Sequence, residues 1–593
     1  MSGKSLLAGL LTSLAVAGAA LPARAACKLD MLAQVPVTMK GLDPVISAKI
    51  NGLDANLVLD FGAFFGSISR SRAEHFHLKI GNLPPYLQVR GVNGAADVGL
   101  ATASQFTLLG RPFPNTQFLL GGPEFGPSVD GVIGRNFLMI ADAEIDLANG
   151  MVRLFDPKGC GGQPLAYWAG PGAPYSVVEL ESPRYRTDQI LGKAQVNGVP
   201  LRVGFDSGAA TSVLTLRAAA RAGIRRDAPG VVAAGLTGGF GRHSIETWIA
   251  PVSDFKIGDE EIKNTRLRIG ALELDDVDML IGADFMLSHH LYVARGQNRL
   301  YFTYNGGPVF RLDVDRTLAA PAAPTDAAKG ADEPKDAAAY ARRAAAFSAR
   351  REYEQAIADL TRAMALDAKD PQLPYDRAIA RLQNRQPLLG MSDLDEALKL
   401  KPDFTLALLA RGRLKLLAHD APGALPDFEA ALKLDPALRI QVAQIYEASE
   451  LFEPAIAHYD RWIADNPKDE RLAFALNGRC WARAQINRDL DKALADCDRA
   501  LKLRPNTASL LDSRGLVHLR LAQYALAIAD YDQALKLQPK EAWSLYGRGV
   551  AELRTGKTTE GQADLKASAE LAPLLAERAK RIGVTAEPGK DVK

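Results

Sequence analysis

The spacing of apolar residues divides the chain into two parts. From about residue 35 to residue 310, short runs alternate apolar and polar positions, as in residues 201–205. Residues 57–59 instead form a continuous apolar run, which is typical of a strand buried on both faces. Asn-Gly pairs separate many of these runs and predict hairpin turns. This part of the chain therefore predicts all-β structure.

The C-terminal part has a helical pattern that repeats. It is rich in Ala and Leu at helical spacing, and Gly515 and Gly549 lie 34 residues apart. The same order of Gly, Ala and Pro recurs over residues 412–436, which a non-repetitive helical bundle does not explain. The period resembles the tetratricopeptide repeat. We expect about six or seven units over residues 337–580, the first two degenerate, with a concave surface that binds protein segments.

The N-terminus has the pattern of an export signal. Lys4 precedes an apolar stretch over residues 6–20, and residues 23–25 read Ala-Arg-Ala. This arrangement predicts a signal peptide over residues 1–25 rather than a buried helix. A lipoprotein anchor through Cys27 is the alternative, but an Arg stands where that signal carries an aliphatic residue. We therefore expect an exported protein that works in the bacterial periplasm.

The rest of the composition is that of an ordinary globular protein. Hydrophobic residues make up 47% and charged residues 24%, with a formal net charge of +2. No basic patch stands out, so we expect no nucleic-acid partner. No later apolar run is long enough to cross a bilayer. Residues 311–336 are rich in Ala, Pro, Asp and Lys and predict a linker, and residues 581–593 predict a tail.

The four cysteines fall into two pairs by position. Cys27 and Cys160 bracket the first predicted β domain, and Cys480 and Cys497 lie in successive helices of one repeat. An even number of cysteines in an exported chain favours disulfides over free thiols, so we predict both bonds. Neither pair has metal-ligand spacing, and we expect no metal and no cofactor.

The β part contains the same ordered signals twice. In each copy an Asn-Gly pair precedes an Asp by nine residues, and an apolar strand leads into that Asp. An apolar run that ends in Gly follows, at Gly134, 74 residues after Asp60, and at Gly282, 76 residues after Asp206. The turn residues of the two copies are Asp60, Phe61, Gly62 and Ala63, and Asp206, Ser207, Gly208 and Ala209.

These paired signals resemble the retropepsin-like aspartic peptidases. That family carries Asp-Thr/Ser-Gly-Ala at the catalytic turn and, later, two hydrophobic residues and a Gly on the strand beneath it. The resemblance covers roughly residues 35–305. It implies two all-β barrels, over residues 33–160 and 172–310, that form a pseudo-two-fold pair with Asp60 and Asp206 as the catalytic dyad. The residues that support the two catalytic turns are then Gly62, Ala63, Ser207, Gly208 and Ala209.

The resemblance implies a defined chemistry. Two carboxylates about 3 Å apart are costly to ionise together, so they share one proton. The ionised member takes a proton from a water, and the protonated member polarises the peptide carbonyl. The chain is thus expected to be an aspartic endopeptidase that acts on an extended peptide or protein.

Between each Asp and its distal Gly the family places a mobile hairpin, the flap, over the substrate. The matching segments here are residues 91–99 and 235–244, whose glycines suit a tight, movable tip, although ordinary Gly-rich hairpins have the same pattern. The flap candidates are Val92, Asn93, Gly94, Gly238, Gly239 and Phe240.

One position departs from the family pattern. Phe61 stands where the family has Thr or Ser, whose hydroxyl hydrogen-bonds to the partner's catalytic loop. Ser207 can supply one half of that link, and Phe61 cannot supply the other. We expect Phe61 to fill apolar space beneath the turn, in an aromatic neighbourhood with Phe64 and Phe65.

This departure leaves two alternatives open. The chain is either a pseudoprotease that binds peptides without cutting them, or a homodimeric protease that uses Asp206 from two chains. We favour the single-chain dyad, because Asp60, Gly62 and Ala63 are all present.

Overall fold

The computed structural model describes residues 27–84, 89–91, 94–95, 98–121, 129–138, 141–170, 172–181, 189–237, 245–274, 276–307, 309–310, 333–467, 469 and 471–586. These residues form two compact units. One contains every described strand, and the other contains nearly all of the repeat helices.

Two lobes make up the β-rich unit. The first lobe is built from β1 (Lys28–Pro36), β2 (Thr38–Lys40), β3 (Asp43–Ile50), β4 (Leu53–Leu59), β5 (Ser67–Ile68), α1 (Arg70–His75), β6 (Lys79–Gly81), β7 (Arg90–Gly91), β8 (Gly94–Ala95), β9 (Gly99–Leu108), β10 (Arg111–Leu120), β11 (Gly131–Ile133), α2 (Arg135–Leu138), β12 (Asp142–Asp146) and β13 (Met151–Lys158). The second lobe is built from β14 (Ser176–Glu179), β15 (Leu191–Val196), β16 (Val199–Phe205), β17 (Val213–Thr215), α3 (Leu216–Arg221), β18 (Val232–Thr237), β19 (Ile245–Ile257), β20 (Glu260–Gly270), β21 (Met279–Ile281), α4 (Ala283–Leu287), β22 (His289–Ala294) and β23 (Arg299–Tyr304).

Each lobe is a closed barrel. In the first, the order β3-β4-β11-β5-β10-β9 is closed by pairing of β3 with β9. In the second, the order β15-β16-β21-β17-β20-β19 is closed by pairing of β15 with β19. The predicted continuous run, residues 57–59, is buried throughout because both faces of β4 are covered: Leu57 and Leu59 lie in the main core, and Val58 packs in a separate apolar cluster. The prediction of two β barrels is confirmed.

The predicted duplication extends to side-chain contacts at the hairpin turns. Asn51 and Asn197 both have positive φ, at 51° and 49°, and each is followed by a Gly with positive φ. The Asn51 side chain accepts a hydrogen bond from the Ser104 hydroxyl at 2.8 Å, and Asn197 accepts one from the Ser253 hydroxyl at 2.7 Å. Asn tolerates this left-handed backbone better than most residues. The same turn chemistry therefore sets the register of β3 with β4 and of β15 with β16.

A six-stranded sheet joins the two lobes. Its order is β1-β13-β12-β22-β23-β14, so that three strands come from each lobe. The lobes meet where β12 and β22 pair antiparallel, with Glu144 opposite Tyr292. Apolar side chains of both lobes share one continuous core. The two barrels are thus held in a fixed relation.

The helical unit consists, over its described residues, of seven antiparallel pairs and a final helix. These are α5 (Ala337–Ala349) with α6 (Tyr353–Leu366), α7 (Gln372–Gln383) with α8 (Pro387–Leu400), α9 (Thr405–Leu417) with α10 (Ala421–Leu434), α11 (Arg439–Ala448) with α12 (Phe452–Asp465), α13 (Leu472–Gln485) with α14 (Leu490–Leu503), α15 (Ala508–Arg520) with α16 (Tyr524–Leu537), α17 (Ala542–Arg554) with α18 (Thr558–Leu571), and α19 (Leu575–Arg581).

Small residues allow the helices of a pair to approach closely. A Cβ on Gly412 would lie 2.7 Å from the Phe428 ring, and a Cβ on Gly515 would lie 2.9 Å from the Tyr531 ring. Both aromatic side chains are buried. The recurring Gly of the sequence pattern is therefore a packing requirement. None of the described helices has the length and apolar character that crossing a membrane requires.

An arginine–aspartate ladder runs along the repeats, and the sequence analysis missed it. Arg411 donates two hydrogen bonds to the buried Asp427 of its own pair, at 2.6 and 3.0 Å, and one to Asp395 of the preceding pair at 2.8 Å. The pairs within a repeat are Arg343–Asp359, Arg377–Asp393, Arg411–Asp427, Arg479–Asp496, Arg514–Asp530 and Arg548–Asp564. Bidentate Arg–carboxylate pairs fix geometry. Arg411, Arg479, Arg514 and Arg548 also reach an Asp of the preceding pair, so the ladder ties these repeats to their neighbours.

Candidate active site

The first Asp of the duplicated pattern lies directly after β4, where that strand runs parallel to β11. The Asp60 N–H donates to the Ile133 carbonyl at 3.0 Å. Its Oδ1 accepts hydrogen bonds from the N–H groups of Gly62 and Ala63, both at 2.7 Å. The turn after β4 thus curls around its own carboxylate and holds it in place.

The second Asp is held in the same way after β16, which runs parallel to β21. The Asp206 N–H donates to the Ile281 carbonyl at 2.9 Å, and Oδ1 accepts from the Gly208 N–H at 2.9 Å. Both carboxylates are thus held by backbone N–H groups of their own turns.

The two turns approach each other through their glycines. A Cβ on Gly62 would overlap the Asp206 carboxylate, and a Cβ on Gly208 would overlap the Asp60 carboxylate. The two carboxyl groups lie within hydrogen-bonding reach of each other. The structure therefore brings Asp60 and Asp206 of one chain together at the junction of the lobes.

The electrostatics of the pair are asymmetric. Burial raises the pKa of Asp206 well above its usual value, and the negative charge of Asp60 adds to this effect. Burial also raises the pKa of Asp60, but hydrogen bonds from Ala63, Asp206 and Gly62 and the charge of Arg135 oppose it. The arrangement favours one proton shared by the pair.

Ser207 links the two turns. Its hydroxyl, buried in the seam, donates to the Leu59 carbonyl at 2.6 Å and accepts from the Phe61 N–H at 3.0 Å. Both partners belong to the first lobe. Ser207 therefore supplies one half of the interlocking link that the family resemblance implies.

Phe61 supplies no return link. Its ring is fully buried in the core cluster beneath the turn, as the sequence predicts. The predicted aromatic neighbourhood is wrong in part, because Phe64 and Phe65 are 44% and 38% exposed. These two rings pack edge-on against each other, with centroids 4.7 Å apart. The chain turns outward after Ala63, so their side chains leave the core.

A buried arginine lies beneath the first turn, and the sequence analysis missed it. The backbone N–H and Nε of Arg135 donate to the Ala63 carbonyl at 2.9 and 3.4 Å. The residue is 4% exposed, and its charge lowers the pKa of Asp60. The signal that could have found it is its position directly after Gly134.

At the equivalent position the second lobe has no charge. Ala283 follows Gly282, and its N–H donates to the Ala209 carbonyl at 2.8 Å. The next residue, Asp284, accepts hydrogen bonds from the Ser212 N–H at 2.9 Å and hydroxyl at 2.7 Å. Burial raises the pKa of Asp284. A carboxyl group thus lies under the second turn where a guanidinium lies under the first.

The flap candidates fall largely outside the described residues. Gly94 pairs with Gly91 in the two-stranded hairpin of β7 and β8, while Val92 and Asn93 lie outside the described residues. In the second lobe, β18 and β19 pair as far as Thr237 opposite Ile245. The candidates at the tip of that hairpin, Gly238, Gly239 and Phe240, also lie outside the described residues.

The structure contains both disulfides that the cysteine positions indicate. The Cys27–Cys160 bond joins the start of β1 to the chain just after β13, at the edge of the six-stranded sheet. The Cys480–Cys497 bond joins α13 to α14 within one repeat. Among the described residues, no cluster of His, Cys, Asp and Glu is arranged to hold a metal ion.

Comparison with known protein families gives matches in both parts of the chain. Residues 46–137 and 192–285 each match the family described as aspartyl protease. Residues 481–543 match the family described as tetratricopeptide repeat. The chain therefore carries two aspartyl-protease-type domains followed by tetratricopeptide repeats.

Curated relatives match over shorter stretches. The DnaJ homolog subfamily C member 3 of Gallus gallus is 29% identical over 183 residues, which cover 28% of this chain and 36% of the relative. The RNA polymerase II-associated protein 3 of Xenopus tropicalis is 33% identical over 84 residues, 14% of this chain and 13% of the relative. The chain thus spans well under half the length of either relative. A tetratricopeptide repeat protein from Parabacteroides merdae is 15% identical, with a TM-score of 0.35 over 41% of this chain and 97% of that one.

Proposed function

We propose that this protein is an exported aspartic endopeptidase with Asp60 and Asp206 as its catalytic dyad. The observation that carries the proposal is the mutual approach of the two turns, in which each Asp faces the glycine of the other turn. A site of this kind needs two carboxyl groups that share one proton, and the raised pKa values of both residues support that state.

In the proposed reaction the two carboxyl groups have different roles. Asp60 is the ionised member, since it accepts two N–H hydrogen bonds and lies near Arg135. Asp206 carries the proton, because burial and the Asp60 charge hold its pKa high. A water between the two carboxyl groups is positioned to be activated by one and to attack a carbonyl that is polarised by the other.

The bond changes follow from these roles. Asp60 takes a proton from the water as its oxygen bonds to the carbonyl carbon, and the Asp206 proton moves to the carbonyl oxygen. The tetrahedral intermediate then loses its C–N bond as the amide nitrogen receives the proton held by Asp60. A hydroxyl proton of the intermediate returns to Asp206, so that the dyad recovers its starting state.

Two further parts of the proposal concern the cellular compartment of the enzyme and the role of its repeats. The two disulfides support an oxidising compartment, in line with the signal peptide expected over residues 1–25 and a periplasmic location. The repeats supply a protein-binding array, the usual role of such superhelices. We assign substrate recruitment or anchoring to the array, and bond cleavage to the barrels.

The test is replacement of each Asp by Asn, which keeps the size of the side chain. We expect Asp60→Asn and Asp206→Asn each to lower cleavage of a peptide library by at least about a hundredfold, with melting temperatures retained. Asp54→Asn, at an exposed surface position in β4, is the control for loss of one negative charge. Full activity in the Asp60 variant, with Asp206 still essential, would favour the homodimeric protease.

Phe61 favours a second candidate function, a peptide-binding pseudoprotease. The hydroxyl link between the turns is made from one side only, by Ser207. A junction between the turns that has only one of the two expected hydroxyl links can still bind an extended peptide as an added strand. This alternative predicts that the parent protein binds library peptides and releases them uncut.

A further inference from the structure

A groove in the helical unit has features that the peptidase proposal does not use. It has a volume of about 430 Å³ and is bordered by the first helices of four successive pairs and by α19. The lining residues that matter are Glu447, Asn477, Trp481, Asp512, Glu541 and Trp543. Several helices thus contribute to one concavity, on the kind of surface that repeat proteins use for binding.

The charges of the groove are predominantly negative. Glu447, Asp512 and Glu541 border it, and Arg578 is the single cation among its lining residues. Arg578 is already paired with Glu450 at 3.0 Å. The lining of the groove therefore has three carboxyl groups and one guanidinium that is already paired, which favours a cationic ligand.

Aromatic surface lies beside these carboxylates. The Trp481 and Trp543 rings meet edge-on with centroids 5.5 Å apart. Indole faces attract ammonium and guanidinium groups and also cover the alkyl stems of Lys and Arg. The combination of two indoles with carboxylates is suited to a long cationic side chain rather than to a small inorganic ion.

Two polar atoms at the groove have no partner within the part of the chain that the structure describes. Trp543 is 8% exposed, and its indole N–H has no acceptor. The Asn477 side-chain oxygen is buried and has no donor. Buried polar atoms are normally hydrogen-bonded. Both residues line the groove, so these two atoms mark a local deficit of hydrogen bonds at its wall.

We propose that this groove binds a Lys or Arg side chain of an extended protein segment, with the cation at Asp512 and Glu541 and the alkyl stem on the partly exposed ring of Trp481. The proposal deepens the protein-binding role assigned above to the repeats, and it is independent of whether the barrels cleave peptides. The partner is thereby identified by its chemistry as a basic, extended segment.

Binding at this site should depend on pH. Burial raises the pKa of Asp512 to about 7, and Glu541 contributes in the same direction while the Ser544 hydroxyl opposes it. The other titratable groups around it are Tyr531 of α16, Glu447 of α11 and Arg578 of α19. Asp512 gains its charge as the pH rises through 7, whereas Lys stays protonated. Affinity for a cation should therefore increase between about pH 6 and pH 8.

The test uses the full chain carrying Asp60→Asn, so that any cleavage of the probe is suppressed. The probe is a short end-blocked peptide that alternates Ala with Lys, and the matched peptide has Glu in place of Lys. We expect saturable binding of the Lys peptide by calorimetry, tightening from pH 6 to pH 8, and none of the Glu peptide. Asp512→Asn should weaken binding about tenfold and remove the pH dependence.

Two further variants separate loss of the binding site from misfolding and from a general change in charge. Glu541→Gln at the rim should also weaken binding, without the folding risk of a buried site. Glu560→Gln removes one negative charge at an exposed position of α18 and should leave affinity unchanged. Equal binding of both peptides, or a Lys-peptide affinity that is the same in the Asp512 and Glu541 variants as in the parent, would overturn the proposal. Cleavage of library peptides by the parent is measured separately and bears only on the proposed enzyme.

Discussion

The two lobes have the same fold and differ at the turns that carry their Asp residues. The second lobe reaches across with Ser207, whose hydroxyl bonds to the Leu59 carbonyl and the Phe61 N–H of the first. No side chain of the first turn makes the matching contact with the second lobe, because Phe61 has no hydroxyl and its ring is buried in the apolar core. The connection between the turns is therefore made by one residue where two would be expected.

A second difference concerns charge. Arg135 lies under the first turn, and Ala283 holds the same backbone contact under the second. The charge of Arg135 therefore acts on Asp60, and the position that matches Arg135 in the second lobe carries an uncharged residue. The comparison teaches that the two copies of a duplicated fold can contribute different parts to one junction: the second lobe supplies the side-chain link between the turns, and the first supplies a buried cation that opposes the rise in the pKa of Asp60.

The largest loss of activity is expected at the glycine that both Asp turns share. Gly62→Ala and Gly208→Ala each place a Cβ in the space of the opposite carboxylate. A shift of about 1 Å in a catalytic group costs roughly a hundredfold in rate, so both variants should lose at least that much in kcat/KM. Gly81→Ala, where a Cβ meets nothing within 4 Å, is the control. Loss in only one of the two glycine variants would show that the lobes are not equivalent here.

The next largest effect is expected from loss of the Ser207 hydroxyl, which links the two turns. Ser207→Ala leaves the Leu59 carbonyl and the Phe61 N–H without their buried partner, at a cost of about 1–3 kcal/mol per unsatisfied group. We expect a lower melting temperature and about a tenfold loss of kcat/KM, since the turns are no longer aligned. Ser207→Thr keeps the hydroxyl and should retain most of both properties. A Ser207→Ala protein with parental kinetics would mean that the link does not align the dyad.

The charge difference is tested by the pH profile. Arg135 lowers the pKa of Asp60, so Arg135→Gln should raise it, and the ionised carboxylate should then be lost at a higher pH. The acidic limb of kcat/KM against pH is therefore expected to move upward, by up to about one unit. Arg135→Lys retains the charge and should keep the limb close to its original position. If Arg135→Gln is folded and its acidic limb lies at the same pH as in the parent, Arg135 has a packing role only.

The smallest catalytic effect is expected at Phe61. Phe61→Thr restores a hydroxyl but removes a fully buried ring, and truncation of a buried Phe costs about 3–5 kcal/mol. We expect a clearly lower melting temperature, together with turnover per folded active site at least equal to that of the parent. Both quantities are needed for the test. A variant of parental stability that is much slower would assign a catalytic role to the Phe61 ring.

Much of this architecture can be predicted from local sequence. The Asn51 and Asn197 turns, the buried run before Asp60 and the glycines after each Asp follow from backbone preferences and side-chain size, which a chain expresses over a few residues. The 34-residue period of the helical half has the same origin, since each pair needs a small residue such as Gly412 where two helices touch.

The remaining features depend on contacts between distant residues. Arg135 and Asp60 are far apart in sequence, as are Asp512 and Ser544, whose hydroxyl donates to it from the next repeat. The arginine–aspartate ladder was visible as an Arg followed by an Asp 16 or 17 residues later, but the sequence did not show that these two side chains face each other.

The sequence by itself determined the kinds of elements, the two Asp turns and the repeat length, because these are set by local periodicity, turn chemistry and side-chain size. The one-sided link by Ser207 was also predicted, from the missing hydroxyl at Phe61, and the resemblance implied the pairing of Asp60 with Asp206. Only the tertiary structure showed that the two turns of one chain meet and that Arg135 lies beneath just one of them. The physical reason is that electrostatic interaction and burial depend on distance in space. Two lobes built on the same pattern therefore acquire different chemistry through the residues at which their turns differ.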